Sequence, residues 1–550
     1  MRKRLGEILV ELGFIGEDQL RTALQEAQST GELLGDVLVR LGWLTHDELN
    51  VALAAQSGAP VLDTEHLNVD MSVFSKVPVD IAKEHLLLPF AEDGPLLKVA
   101  MANPYDVLAR DKLQELTGCT VESYIASPEW LRRAIDFYYG TAARLDDEVK
   151  ALIREITVRK KEGPEETQNI RLLELLITKG IVSGASDIHF DPDGKVLRIS
   201  YRIDGAMHQE YLLPHLLHAG LLTRIKVLSD IPIADPNVPH DGRMVFQSGI
   251  QEVPVRVSTL PTQYGEAAVL RLLQKAEAVG DMEALGLTKH NREIFERIIH
   301  RPHGLILVTG PTGSGKTTTL YTVLLRINTP TNNIITIEDP IEYRIPTVRQ
   351  TAVNPKTGFT FASALRSALR QDPDIIMVGE IRDQETGELA LRAAITGHLV
   401  LSTLHTNDAP SAIYRLLDLG VSPSILTSAL IAVVAQRLVR RLCSDCKKPT
   451  EVDEATRRLL KAYGYPEDTV LFGANGCDKC RGTGYKGRIA IFEIMEMNSE
   501  IEELILSGSS RSRILEAAAR AGMRRLLEDG IGKAAAGLTS ISEVLRVVGQ

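Results

Sequence analysis

The sequence predicts a multidomain α/β protein with a parallel sheet in its C-terminal half and an α+β domain before it. Three observations carry this. The chain has 550 residues, and domains of about 100–200 residues make that several. From about residue 290 four apolar runs, GLILVTG, NIITIED, DIIMVGE and HLVLSTLH, alternate with helical segments, the pattern of buried parallel strands. Ahead of them one helix, IRLLELLITKG, is followed by five strand-like runs from DIHFDP to AAVLRLL, a helix-then-sheet order that reads as α+β.

The elements follow in order. Residues 1–62 repeat themselves: RLGEILVELGFIGEDQL from Arg4 is echoed by LLGDVLVRLGWLTHDEL from Leu33, an offset of 29 residues that aligns Leu5 with Leu34 and Gly13 with Gly42. Each copy reads as two short helices, with Gly13 and Gly42 where a helix would end. Residues 63–145 mix a strand pattern (LLKVAMAN) with a helix (DVLARDKLQELTG) and form a small α/β domain. The charged stretch 146–168, containing Gly163-Pro164, reads as a linker with some helix. The α+β domain spans 169–283. The last domain, 284–550, contains a cysteine-bearing segment at 441–488 and C-terminal helices at 495–550.

Composition narrows the function. The net charge of -10 gives no general drive toward nucleic acid. No run of about 18 uncharged apolar residues predicts a transmembrane helix. Glu7 and Glu11 interrupt the first apolar stretch, which argues against a signal peptide. A cytoplasmic location is expected. Of five cysteines, Cys119 stands alone in an apolar context and reads as a core residue.

The chemistry gathers in the C-terminal half. GPTGSGKTT, Gly310, Pro311, Thr312, Gly313, Ser314, Gly315, Lys316, Thr317 and Thr318, follows a strand and opens a helix. That context makes it a phosphate-binding loop. Glycines let backbone N–H groups wrap phosphates, and the helix N-terminus favours negative charge. Lys316 then reaches the β- and γ-phosphates, and Thr317 contacts Mg²⁺. IEDPIEY supplies Glu338, Asp339 and Glu342 after a strand, and DIIMVGEIRD delivers Glu380 to another strand's end. Carboxylates so placed either hold Mg²⁺ or orient the attacking water. The alternative for them is a solvated loop acid. His398 and His405 bracket one strand in TGHLVLSTLHTN; they either sense phosphate, contact a neighbour or are structural.

Together these residues resemble the ATPases of type IV pilus assembly and type II secretion (PilB-, GspE- and MshE-like). The run from FASALRSALRQDPDIIMVGEIRD to TGHLVLSTLHTNDAPSAIYRL carries much of the likeness. Four boxes match: Walker A at 310–317, an Asp box at 338–342, Walker B at 374–380 and a His box at 396–407. The resemblance implies a RecA-like ATPase domain, a PAS-like character for the α+β domain, and a homohexameric ring with ATP between those two domains. It implies Glu342 as general base and Glu380 as holder of Mg²⁺ or its water. It also implies Arg256 and Arg271 as arginine fingers, where the residues alone favour a salt bridge on a sheet face. Arg366, Arg370 and Arg382 are weaker candidates for tying the interface together. Walker B departs from many ATPases by having Gly379 where Asp is common, as is usual in this family.

Cys443-x-x-Cys446 and Cys477-x-x-Cys480 supply four thiolates, the donor set of a structural zinc. The alternatives are a redox pair or unrelated cysteines. The resemblance associates the motif with assembly and secretion motors rather than pilus retraction, and we expect this subdomain to face a membrane platform protein.

The expected function is therefore ATP hydrolysis that drives an inner-membrane platform protein to insert pilins into a fibre, with membrane attachment through partners and no direct insertion. A type II secretion pseudopilus motor is the alternative within the family. A RecA-like nucleic-acid translocase is disfavoured by 5% aromatic residues and the acidic balance. A nucleotide-gated scaffold without turnover is disfavoured by the intact acidic boxes.

The opening repeat resembles an N-terminal module on some of these motors that binds cyclic di-GMP. The resemblance assigns Arg4, Leu5, Gly6, Gly13, Leu34, Gly35 and Gly42 to that ligand. The copies are unequal: Ala27 replaces a final Gln that the second copy keeps as Gln56, and Leu33 stands where the first has Arg4. The alternative is a plain helical docking module.

Overall fold

The structure is a computed structural model that describes residues 3–549, apart from 65–66, 68, 159–165, 250, 274–279, 281, 343, 346 and 467. It divides into two compact units, Met1–Gln274 and Lys275–Gln550.

The first unit opens with four helices, α1 (Leu5–Glu11), α2 (Glu17–Thr30), α3 (Leu34–Arg40) and α4 (His46–Ser57). The repeat in sequence is a repeat in packing. Burial along 4–10 matches burial along 33–39 position for position. Gly6 and Gly35 are buried, and a methyl on either would press to 2.6 Å of Leu20 or 2.8 Å of Leu49. At both positions a leucine side chain packs directly onto the glycine, so a larger residue would have to displace it. Across the copies α1 packs on α4 and α2 on α3, so each copy covers the other's apolar face. Ile8, Leu9, Ala23, Val37, Leu38 and Ala52 form this small core.

Next come β1 (Leu87–Asp93), β2 (Leu96–Met101) and β3 (Thr120–Ile125), in the order β1-β2-β3. β1 and β2 are antiparallel; β2 and β3 are parallel, joined by the helix Val107–Thr117. Cys119 is buried in this core, as expected.

The stretch 146–168, expected to be a charged linker with some helix, is helical in its first part and packs on the core there. Its first part lies in the helix Ala143–Val158, and 159–165 fall outside the described residues. Leu145, Val149 and Ile156 of that helix belong to one apolar core that runs on to Leu272. Their spacing is helical, and the charges between them hid the stripe. Asp146 fixes the helix to its neighbour by accepting from Lys179 at 2.8 Å and Tyr211 at 2.6 Å.

The helices Glu166–Val182 and His218–Leu228 pack beside a six-stranded sheet. Its strands are β4 (Ala185–Asp193), β5 (Val196–Ile203), β6 (Ala206–Pro214), β7 (His240–Ser248), β8 (Gln251–Thr262) and β9 (Gly265–Leu272), ordered β6-β5-β4-β9-β8-β7. Every pairing is antiparallel.

The second unit is built on a seven-stranded sheet of order β12-β11-β13-β14-β10-β15-β18. The strands are β10 (Gly304–Thr309), β11 (Ile334–Glu338), β12 (Arg349–Ala352), β13 (Ile375–Val378), β14 (Leu399–Leu404), β15 (Leu430–Leu442) and β18 (Tyr485–Glu496). All neighbours are parallel except β15 and β18. Both faces are covered. Leu305 and Leu307 of β10 enter one core while Ile306 and Val308 enter the other, which is why β10 reads as an unbroken apolar run. A two-stranded ladder of β16 (Lys448–Thr450) and β17 (Leu471–Gly473) sits in the cysteine-bearing segment. Among the described residues no helix is long and apolar enough to cross a membrane.

Candidate nucleotide site

The loop after β10 runs directly into the N-terminus of the helix Lys316–Ile327, the strand–loop–helix context expected of a phosphate-binding loop. Gly310 has φ 153° and Gly315 φ 87°, both left-handed. Side chains are also excluded there by space: a Cβ on Gly310 would lie 2.4 Å from the Gln436 carbonyl, and one on Gly315 2.8 Å from the Gln436 Nε2. Pro311 and Ser314 complete the curve, and Thr312, Gly313 and Thr317 are open to solvent. The Thr318 carbonyl is taken up by the Thr322 hydroxyl.

Lys316 is curled over the loop, donating to the carbonyls of Gly310 at 2.8 Å and Pro311 at 3.2 Å. Burial pulls its ammonium from 10.5 down to about 8; the Glu380 charge opposes this and the Arg437 charge adds to it.

Parallel strands release their chain at one edge, so residues just past β10, β13 and β14 meet there. Glu380 accepts from Arg382, and His405 Nε2 stands 3.5 Å from its other oxygen. Arg382 also reaches Asp339 at 3.9 Å. Burial lowers the His405 pKa, Lys316 lowers it further, and Glu380 opposes both. Gly379 is explained by the same crowding: its N–H donates to the Ile337 carbonyl at 2.8 Å, and a Cβ would lie 3.3 Å from that oxygen.

The predicted carboxylates do not all join this cluster. Glu338 is buried, and its carboxylate accepts from Tyr321, from Thr336 at 2.5 Å and from Gln350 at 3.1 Å. Burial raises its pKa despite those donors, and the Glu342 charge adds to the rise. Its oxygens are thus engaged by protein groups. Tyr321, on the P-loop helix, links it to Glu342, whose backbone N–H donates to the same hydroxyl at 3.3 Å.

His398 is not brought to the site. β14 runs parallel to β10 with Leu399 beside Gly304 and Leu404 beside Thr309, so His398 precedes the strand at the edge away from the loop. Its Nδ1 lies 2.8 Å from the Ala393 carbonyl, at the end of the helix Gln384–Ile395. Of the three weaker arginine candidates only Arg382 meets the acidic cluster. Arg366 pairs with Glu385, and Arg370 donates to the Arg366 carbonyl.

Arg256 and Arg271 belong to the other unit, where they stand opposite each other on β8 and β9. The register continues in both directions: Arg243 faces Arg256, Arg271 faces Asp187, and Asp187 faces Arg202. Four arginines and one aspartate therefore form a row across five strands on one sheet face. Arg271 Nε donates to Asp187 at 2.8 Å, and Arg202 lies 3.6 Å from it. Burial opposes the effect, but these hydrogen bonds and charges hold the Asp187 pKa below 3.8. Like charges in direct opposition destabilise a sheet, and Asp187 offsets part of that cost through Arg271 and Arg202.

The four cysteines converge. Their sulfur atoms all lie within 4.8 Å of one another, with separations of 3.8 Å for Cys443–Cys477, 3.8 Å for Cys446–Cys480 and 3.6 Å for Cys477–Cys480. A tetrahedron with Zn–S bonds of about 2.3 Å has edges of about 3.8 Å, so the donor set fits that ion. Backbone N–H groups of Cys477 and Gly484 each donate to Cys480 Sγ at 3.1 Å, the outer shell such a site requires.

Several contacts at the site were not foreseen. Gln436 lies beneath the loop, Thr406 pairs with Thr309 at 2.8 Å, and Asn407 accepts from Arg437 at 2.9 Å. The available signal for Gln436 is a lone amide inside the apolar run LIAVVAQRLV, because a buried amide needs partners.

The comparisons with known proteins agree with this geometry. Residues 162–546 match the Type II/IV secretion system protein family. Residues 57–145 match the MshEN domain, which places that match on the small α/β region. The type IV pilus assembly ATPase PilB of Myxococcus xanthus is 41% identical over 99% of both chains. The type II secretion system ATPase E of Vibrio cholerae is 46% identical over 70% of this chain and 76% of its own. The solved ATPase DotB of Yersinia pseudotuberculosis covers 68% of this chain and 93% of its own at 20% identity and a TM-score of 0.51, a likeness of fold. With a RecA-like sheet, a complete phosphate loop and these relatives, the chain belongs to the type II/IV secretion system protein family and is one of its ATPases.

Proposed function

We propose that the protein is the ATP-hydrolysing motor of type IV pilus assembly, a homohexamer on the cytoplasmic face of the inner membrane, attached through a platform protein and other assembly proteins. The observation that carries this is the match to a pilus assembly ATPase over 99% of both chains. Type II secretion relatives cover 70% to 86% of this chain, short of that full-length match, which favours pilus assembly over the secretion alternative.

In this reading Lys316 and the backbone of 310–318 bind the phosphates. Thr317 and Glu380 hold Mg²⁺, with Asp339 near them through Arg382. The ion supplies charge neutralisation on the phosphate oxygens. Glu342 orients and deprotonates the attacking water, and His405 reports the γ-phosphate to Glu380. Arg256 and Arg271 stabilise charge on the transferring group, and their row on β8 and β9 supports that assignment. Glu338 acts through Tyr321 to position the P-loop helix and Glu342.

The domains proposed are the helical repeat 1–62, the small α/β domain 63–145, a PAS-like domain 169–283 and the ATPase domain 284–550. The four cysteines hold one structural Zn²⁺ and shape a surface for the platform protein. The helical repeat takes cyclic di-GMP as effector. What supports that is its two-fold repetition against a ligand with two guanine halves. Arg4, Leu5 and Leu34 and the exposed Gly13 and Gly42 remain open for contact, while Gly6 and Gly35 are buried against leucines and support the fold.

The test is a strain carrying Lys316→Ala. Loss of pili together with loss of ATP turnover by the purified variant supports the reading; pili at wild-type level overturn it. Zinc analysis of the purified chain should give one ion per chain, and titration calorimetry with cyclic di-GMP should give heat at micromolar ligand.

A further inference from the structure

Gln436 is 1% exposed, in the middle of a strand, and uses both ends of its amide on the phosphate loop. Its Nε2 donates to the Ser314 carbonyl at 2.9 Å. Its Oε1 accepts from the Thr319 hydroxyl, in the first turn of the P-loop helix, at 2.6 Å. Thr319 is itself fully buried. Both glycines of the loop close on the same residue: a Cβ at Gly310 would strike the Gln436 backbone carbonyl, and one at Gly315 its side-chain Nε2.

The register explains why this one residue has that reach. β15 runs beside β10 as far as Ala435, which pairs with Thr309, the last residue of β10. At the next position β10 has left the sheet to become the loop. Gln436 stays in place because its other side pairs with Phe492 on β18. The amide thus replaces a strand partner that has lifted away, bridging to the loop where ladder hydrogen bonds can no longer do so. Ser314 is buried, and its hydroxyl has no partner among the described residues, so at that residue the Gln436 bond falls on the carbonyl alone.

We propose that Gln436 is a positioning residue for ATP binding: its amide straps Ser314 and Thr319 together and holds the loop open, so that the backbone N–H groups converge on the phosphates before nucleotide arrives. It touches no reacting atom and acts through the loop. Pre-setting a cradle lowers the cost of binding in the ground state and transition state alike. Loss of Gln436 therefore raises KM for ATP and leaves kcat nearly unchanged. This rests on the ATPase reading of the site.

The experiment measures ATP turnover, KM and thermal midpoint for the full chain and for variants at both ends of the strap. Gln436→Met keeps volume and removes both hydrogen bonds. Its expected result is a KM raised about tenfold with kcat within about threefold of wild type, from two bonds of about 0.5–1.5 kcal/mol each. Thr319→Val should shift KM the same way by a smaller factor, and Thr319→Ser, which keeps the hydroxyl, should restore it. The double variant Gln436→Met/Thr319→Val should be less than additive, because the pair shares one interaction. A folded Gln436→Met with wild-type KM, or with its loss confined to kcat, overturns the proposal. If Gln436→Met does not fold, the Val and Ser variants of Thr319 decide it, and equal KM for those two overturns it. A wild-type chain with no turnover would instead refute the ATPase reading.

Discussion

In the parallel sheet of the Lys275–Gln550 unit, charged side chains gather where strands end; in the antiparallel sheet of the Met1–Gln274 unit, they run across a face. Lys316, Glu380 and His405 each follow a strand, and the common direction of β10, β13 and β14 delivers them to one edge. Arg243, Arg256, Arg271 and Arg202 come from four different strands and are aligned only by register. The first arrangement concentrates function in short contiguous motifs. The second spreads it so that each residue looks ordinary alone. The electrostatic costs differ too: the edge mixes signs, whereas the row holds four cations with Asp187 as the carboxylate paired to it.

The largest expected effect tests the edge. Lys316→Ala should lower ATP turnover by at least about 10²–10³-fold, the scale seen when one preorganised charge-stabilising donor is removed, with the thermal midpoint little changed. An unfolded variant would show that the edge is part of the structural core, and the contrast would fail.

Next in size is the row. Asp187→Asn leaves four arginines with no carboxylate in register and should cost about 2 kcal/mol, below the range for a fully buried pair because Arg271 is half exposed. Denaturant midpoints measure it. The pH dependence sharpens the point. Asp187 is held below its ordinary 3.8, so its contribution is complete above that value and is lost as pH falls beneath it. The Asn variant should lack that acid-side loss.

A smaller effect separates the two regions by pH. Lys316 is buried and its pKa stands at about 8. Phosphate binding needs the cation, so ATP affinity should weaken as pH rises through about 8, approaching tenfold per unit above it. An ordinary lysine would leave affinity level between about pH 7 and 9. The arginines of the row stay charged throughout that range; flat affinity would show that the titration of Lys316 does not govern binding.

The same contrast governs what was legible in the sequence. The phosphate loop, the carboxylates after β11 and β13 and the paired cysteines could be read because local spacing and spatial arrangement coincide there. The parallel and α+β sheets were legible from apolar runs and their order. His398 was misplaced because two histidines flanking one strand look equivalent until the strand's direction is known. Within the expected linker the partial helix was legible, but the burial of Val149 and Ile156 was not, because that apolar stripe is interleaved with charges. Asp187, Arg202, Arg243 and Gln436 were missed because their partners are set by register or by burial, which no short motif records.

β15 carries Gln436 under the loop, Arg440 against Glu543 of the C-terminal helix at 2.8 Å, and passes at Leu442 into Cys443. From Gln436 to Arg440 it pairs with β18 in continuous register, and a shift in register falls between Arg440 and Leu442, just before Cys443. One strand is therefore the common anchor of the phosphate loop, the C-terminal helix and the cysteine cluster.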